Sequence, residues 1–96
     1  MTHAEIINVL KEFKDKNSEK YGILELGLFG STARGNSVET SDVDIFLKTK
    51  TPDPFLITHI KEDLESQLHK HVDIVRLRDK MNPYLKKQIE RDAVYV

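Results

Sequence analysis

Residues 42–47 read Asp-Val-Asp-Ile-Phe-Leu, and this run constrains the fold more than any other part of the chain. Val43, Ile45 and Leu47 alternate with Asp42, Asp44 and Phe46, which is the period of an extended strand with one face in a core. The same alternation sends both aspartates out of the opposite face. At a rise of ~3.3 Å per residue their Cα atoms stand ~6–7 Å apart. Phe46 shares their face, where it is open to a bound base or to a neighbouring helix. A second apolar run, Val72 to Leu77, is interrupted by Asp73. If that strand lies beside the first, its carboxylate completes a cluster of three.

Like charges packed together repel, and burying them uncompensated is costly. A divalent ion removes both problems. Mg²⁺ takes oxygen ligands and commonly joins a few carboxylates to substrate phosphates. Two such ions, ~3.5–4 Å apart, can activate an attacking oxygen and neutralise a leaving one. Asp42, Asp44 and Asp73 are therefore the candidate metal ligands and the candidate catalytic residues.

A third strand is read over Ile23 to Phe29, with Leu24, Leu26 and Leu28 on one face and Ile23, Glu25, Gly27 and Phe29 on the other. Gly30-Ser31 follows at once. A glycine there allows close backbone approach to a phosphate, and the turn after it aims free N–H groups at the anion. The Ser31 hydroxyl adds a hydrogen bond, and Arg34 can contact phosphate or pair with a carboxylate. Thr32 to Arg34 read as a short helical turn ended by Gly35, and Asn36 to Ser41 as a polar loop.

Around these strands the periodicity predicts helices. Ile6, Ile7, Leu10 and Phe13 stripe a helix from Ala4 to about Lys16, which Asn17, Ser18 and Gly22 close. Pro54 suits the start of a second helix, whose apolar stripe is Ile57, Ile60, Leu64 and Leu68. Asn82-Pro83 reads as an N-cap with proline at the first helical position. The apolar tail Ala93 to Val96 can pack or pair. The expected fold is α/β (α+β), a small mixed β-sheet flanked by helices, in one domain over residues 1–96 with its helical layer mostly exposed.

Composition narrows the function classes. At 96 residues the chain has one core. The absence of cysteine excludes disulfide scaffolds, thiolate zinc sites and cysteine nucleophiles. Fifteen basic against sixteen acidic residues give no cationic excess for nucleic acid, so direct nucleic-acid binding is not expected. The N-terminus lacks a secretory pattern and no apolar run approaches a membrane span, so a cytoplasmic location is expected. His59, His69 and His71 have no convincing metal spacing to the acids; His69 and His71 are expected exposed, at a helix end and a strand start. Arg76, Arg78, Lys80, Lys86 and Lys87 read as a solvated face, with docking of an acidic partner or a hold on nucleotide phosphates as the other options. Tyr84 and Tyr95 read as packing residues, with self-modification as the alternative.

Singly, a strand Asp-x-Asp or a Gly-Ser turn is a weak signal. Their combination is specific: a strand, Gly30-Ser31, ten residues, Asp42-Val43-Asp44, then Asp73. It resembles the nucleotidyltransferase superfamily, whose sheet is similar to the polymerase-beta palm. The run GSTARGNSVETSDVDIFL, with HVDIV and the ending QIERDAVYV, looks like the minimal nucleotidyltransferase (MNT) family. The resemblance implies Gly30 and Ser31 as the phosphate-facing pair, Asp42 and Asp44 as metal ligands, and Asp73 as the third acid. Larger relatives hold base and acceptor with a second domain, but only 23 residues follow Asp73, so the acceptor site is shallow or built by another chain. MNT proteins are typically encoded beside a HEPN protein as a toxin–antitoxin pair. The resemblance thus implies an antitoxin that adenylylates a tyrosine of a HEPN toxin from ATP with Mg²⁺, and a homo-oligomer is open. Two other readings stand beside it: an antitoxin that neutralises by contact alone, and transfer to a small molecule.

Overall fold

The computed structural model describes residues 2–34 and 42–96, and for Ser31 the backbone only. The loop expected over Asn36 to Ser41, the stop at Gly35 and the Ser31 hydroxyl lie outside the described residues.

Four strands form one mixed sheet in the order β3-β2-β1-β4. These are β1 (Ile23–Leu28), β2 (Val43–Thr49), β3 (Val72–Arg76) and β4 (Val94–Tyr95). β1 pairs antiparallel with both β2 and β4, while β3 runs parallel to β2. A parallel neighbour needs a long crossover, which the helix α3 (Pro54–Leu68) supplies. The sheet is thus mixed, as expected, and the apolar tail becomes its fourth strand.

Helices α1 (His3–Tyr21) and α3 cover one face. Ile6, Leu10 and Phe13 of α1 and Ile60, Leu64 and Leu68 of α3 bury against Leu26, Leu28, Val43, Ile45, Leu47 and Val72. The other face is covered over part of its length by α4 (Pro83–Asp92), whose Ile89 packs on Phe29 and Phe46. Helices thus lie on both sides of the sheet, and the short α2 (Gly30–Ala33) sits at its end.

Local chemistry sets the boundaries. Thr2 and Glu5 form a reciprocal capping box at the start of α1. Asp53 caps α3 ahead of Pro54, and Asn82 caps α4 ahead of Pro83. Helix α1 runs to Tyr21, past the expected stop near Lys16. Asn17 and Ser18 return their side chains to the carbonyls of Phe13 and Lys14 and stay helical. Gly22, at φ 64°, ends the helix in the left-handed region.

In β1 the expected facing of Leu24 is overturned. A bulge between Ile23 and Glu25 sets two steps of β1 against one of β2, Thr49 to Lys48. The extra residue shifts the alternation by one. Ile23 therefore joins Leu26 and Leu28 in the core, and Leu24 is exposed. On the far face Gly27 admits the chain closely: a Cβ there would lie 2.3 Å from the Val94 carbonyl oxygen and 2.6 Å from the Phe46 ring. Phe46 is covered by the protein, edge-on to Tyr95 with ring centroids 5.0 Å apart. Tyr84, expected to pack, is exposed on α4 because it lies opposite the edge that carries Ile89. Among the described residues no helix is long and apolar enough to cross a membrane.

Candidate active site

The parallel register of β2 and β3 pairs Val43 with Val72 and Asp44 with Asp73. Two aspartates therefore stand side by side on neighbouring strands, facing away from α1 and α3. Asp42 lies just before β2, on the same face as Asp44. All three expected acids gather at one corner of the sheet, where the paired strands begin.

The grouping has an electrostatic signature. The Asp44 carboxyl is pushed above the usual carboxylate range, first by partial burial and then by the negative charges of Asp73 and Asp42. Asp42 and Asp73 are both about half exposed, so water still solvates them. The fold thus makes the Asp44 carboxyl harder to ionise than a free one.

Gly30 joins the turn to this cluster. Its φ of 65° is in the left-handed region that favours glycine. A Cβ built on it would stand 2.8 Å from Asp44 Oδ2. The first residue of α2 thus lies directly against the Asp44 carboxylate. Phe29 N–H donates to the Asp44 carbonyl at 3.1 Å, which carries the β1–β2 pairing up to the turn.

Thr32 fixes the same junction from inside, and sequence reasoning missed it. It is fully buried. Its hydroxyl accepts from Asp44 N–H at 3.3 Å and donates to the Asp42 carbonyl at 3.4 Å. The hydroxyl of one helical residue therefore bridges the backbone on both sides of Val43. The available signal was a threonine one residue after the Gly-Ser pair, but only the fold shows what it reaches.

Arg34 takes the second of its two expected options. Its Nη1 pairs with Asp92 Oδ2 at 2.7 Å, which ties α2 to the end of α4. The Asp92 side chain is only 8% exposed and also pairs with Arg91 at 3.3 Å.

The structure also adds His71 to the cluster. It is exposed at the strand start, as expected, but it is not remote from the acids. Its Nδ1 lies 3.8 Å from Asp42 Oδ2 and 3.9 Å from Asp73 Oδ1. The parallel register explains this, because pairing Val43 with Val72 places residue 71 opposite residue 42. A His-x-Asp facing an Asp-x-Asp was legible as two alternating pairs, but only with the strand pairing in hand. Ligand atoms of Asp42, His71 and Asp73 all lie within 4.8 Å of one another. That spacing, and a donor set dominated by carboxylate oxygen, fits a divalent cation. A groove between α3, β3 and α4, lined by Pro54, Ile57, Ile74, Arg76 and Leu85, includes none of the three aspartates.

The family described as Nucleotidyltransferase domain matches residues 10–96. Protein adenylyltransferase MntA of Thermococcus cleftensis is 34% identical over 97 residues, spanning 100% of this chain and 97% of its own. A solved structure assigned as a minimal nucleotidyltransferase superposes with a TM-score of 0.81 at 27% identity, covering 98% of this chain and 95% of that one. A crystal structure of a toxin–antitoxin with AMP-PNP superposes with a TM-score of 0.70 at 26% identity, over 83% of this chain and 66% of that one. The family match over residues 10–96 and the relative identical at 34% over the whole chain place this protein in the nucleotidyltransferase family, as one of its minimal members.

Proposed function

We propose that this nucleotidyltransferase is the antitoxin of a HEPN/MNT pair and transfers AMP from ATP to a tyrosine hydroxyl of its partner toxin. The observation that carries the reading is the meeting of Gly30, Asp44 and Asp73: a glycine turn lies against one carboxylate, and a second carboxylate is in register beside it. The relative named a protein adenylyltransferase and the similar toxin–antitoxin bound to AMP-PNP support the choice of donor and acceptor class.

In this reading Asp42, Asp44 and Asp73 hold magnesium, two ions in the full site. When bound, that metal offsets phosphate charge and stabilises the leaving pyrophosphate. The Gly30 backbone lets the triphosphate come close, and Ser31 donates to a phosphate oxygen. Thr32 keeps the backbone of Asp42 and Asp44 at a fixed distance from that turn. Arg34 pairs with Asp92 in the structure and, in this reading, turns from that partner to the phosphate when nucleotide binds. Asp73 takes the proton from the acceptor hydroxyl. The acceptor oxygen then bonds to the α-phosphorus, the bond to the bridging oxygen breaks, and pyrophosphate leaves. The protein acts in the cytoplasm, where ATP and the toxin are both present.

The test is incubation with labelled ATP, Mg²⁺ and the protein encoded next to it, which this reading expects to be a HEPN toxin. Label is expected on the partner and lost with Asp44→Asn. Neutralisation of the toxin by Asp44→Asn without label would overturn catalysis in favour of an antitoxin that works by contact.

A further inference from the structure

We propose that the open edge of β3 takes an extended, acidic segment of another protein as a fifth strand, seated in the groove between α3 and α4. The identity of that protein rests on the adenylyltransferase reading, in which it is the toxin that receives AMP.

Topology comes first. β3 is an outer strand with only β2 beside it. Val43 N–H donates to the His71 carbonyl at 2.9 Å and Leu77 N–H to the Leu47 carbonyl at 2.7 Å, so the odd-numbered residues here bond inward to β2. Val72, Ile74 and Arg76 therefore turn their N–H and carbonyl groups outward. Glu65 Oε2 accepts from Val72 N–H at 2.9 Å and closes the start of that edge. Among the described residues nothing takes up the outward N–H of Ile74 or of Arg76. Sheets ordinarily blunt or cover such a row, because it is a template for another strand.

The side chains around the edge fit that occupant. A strand laid on β3 sends alternate side chains to opposite faces of the sheet. Both faces offer an apolar wall, Pro54 and Ile57 on the α3 side and Met81 and Leu85 on the α4 side. Charge then selects the sequence. The Asp53 carboxylate at the groove is committed to capping α3, where it accepts from Phe55 and Leu56 N–H. Arg76 and Arg78 also line the groove, and among the described residues neither has an ion-pair partner. The Nε of Arg76 is shut from solvent without a hydrogen-bond acceptor, so this guanidinium gains from an arriving carboxylate. A second copy of β3 would instead bring two more arginines to the same edge. Phe55 and Tyr84, each one residue past the proline that starts its helix, are 85% and 88% exposed. Such aromatics anchor protein interfaces. Position links the groove to the chemistry: Ile74 follows Asp73 directly, so a strand paired there, ~4.8 Å from β3, carries one of its residues alongside Asp73.

The experiment mixes this protein, without nucleotide, with the protein encoded next to it, and reads hydrogen exchange amide by amide together with affinity. The Ile74 and Arg76 amides should exchange at least about tenfold more slowly in the complex than in the free protein. Arg76→Gln combined with Arg78→Gln should weaken the complex at least about tenfold. Unchanged exchange at both amides, a complex indifferent to the double substitution, or no complex at all would each overturn the proposal. Slow exchange in this protein alone that fades on dilution would assign the edge to a second copy and overturn it too. Labelled-nucleotide transfer, scored in parallel, separates the two readings. Protected β3 amides with no label on the neighbour would refute the adenylyltransferase reading alone, and label on the neighbour with unprotected amides would refute this one alone.

Discussion

Asp44 and Phe46 stand two residues apart on the same face of β2, yet their surroundings are opposite. Phe46 is sealed beneath Ile89 of α4 and the edge of Tyr95. Asp44 is partly exposed, with two further acids within electrostatic reach and the Gly30 turn against its carboxylate. The face is therefore divided: its far half is a small core and its near half is the candidate site. The same division does not occur on the opposite face, where Val43, Ile45 and Leu47 are all buried under α1 and α3. One strand thus contributes packing along most of its length and concentrates electrostatic strain at one end of one face. In the proposed reaction a divalent cation would relieve that strain.

Substitutions at the two residues should separate these roles. Asp44→Asn is expected to reduce transfer by about a thousandfold, ~4 kcal/mol in the barrier, measured as label incorporated per minute, with no loss of folding. Phe46→Ala should do the reverse, costing about 3–5 kcal/mol in chemical denaturation. A smaller loss there would mean that α4 is not anchored by that ring. Between the two halves, Gly30→Ala forces an L-residue into the left-handed region and pushes the Asp44 carboxylate. It should cost about 1–2 kcal/mol of stability and depress transfer far more than that loss explains. Thr32→Val keeps the shape but leaves the Asp44 N–H without its acceptor, for about 1–2 kcal/mol by thermal melting. Here transfer by the folded fraction should fall only modestly.

Much of this division was legible in the residues themselves. The alternation through Val43 to Leu47 gave both the strand and the direction of its aspartates, and Asn82-Pro83 marked the start of α4. Asp73 was read as conditional on β3 lying beside β2, which the structure shows. What could not be read depended on register or on distant partners. The Leu24 bulge is a property of how β1 meets β2, not of β1 alone. His71 becomes part of the cluster only once residue 43 is paired with residue 72. Thr32 and Asp92 act through side chains that reach 10 and 58 residues along the chain, and no local pattern encodes such a reach. Asn17 and Ser18 misled for a related reason: their preference for turns gave way to the buried helix face of Phe13 and Tyr21 on either side of them.

The most direct measurement of the electrostatic claim is the melting temperature of wild type and Asp44→Asn across pH, without divalent ions. Because the Asp44 carboxyl is raised in the folded state, the stability it contributes is present when it is protonated at low pH. That contribution is lost as pH rises through its folded-state value. Asp44→Asn, neutral throughout, should therefore melt above wild type at neutral pH, with the gap closing as the solution is acidified. A variant that melts below wild type at neutral pH would contradict the account, because the Asp44 charge would then be stabilised by the fold rather than strained by it.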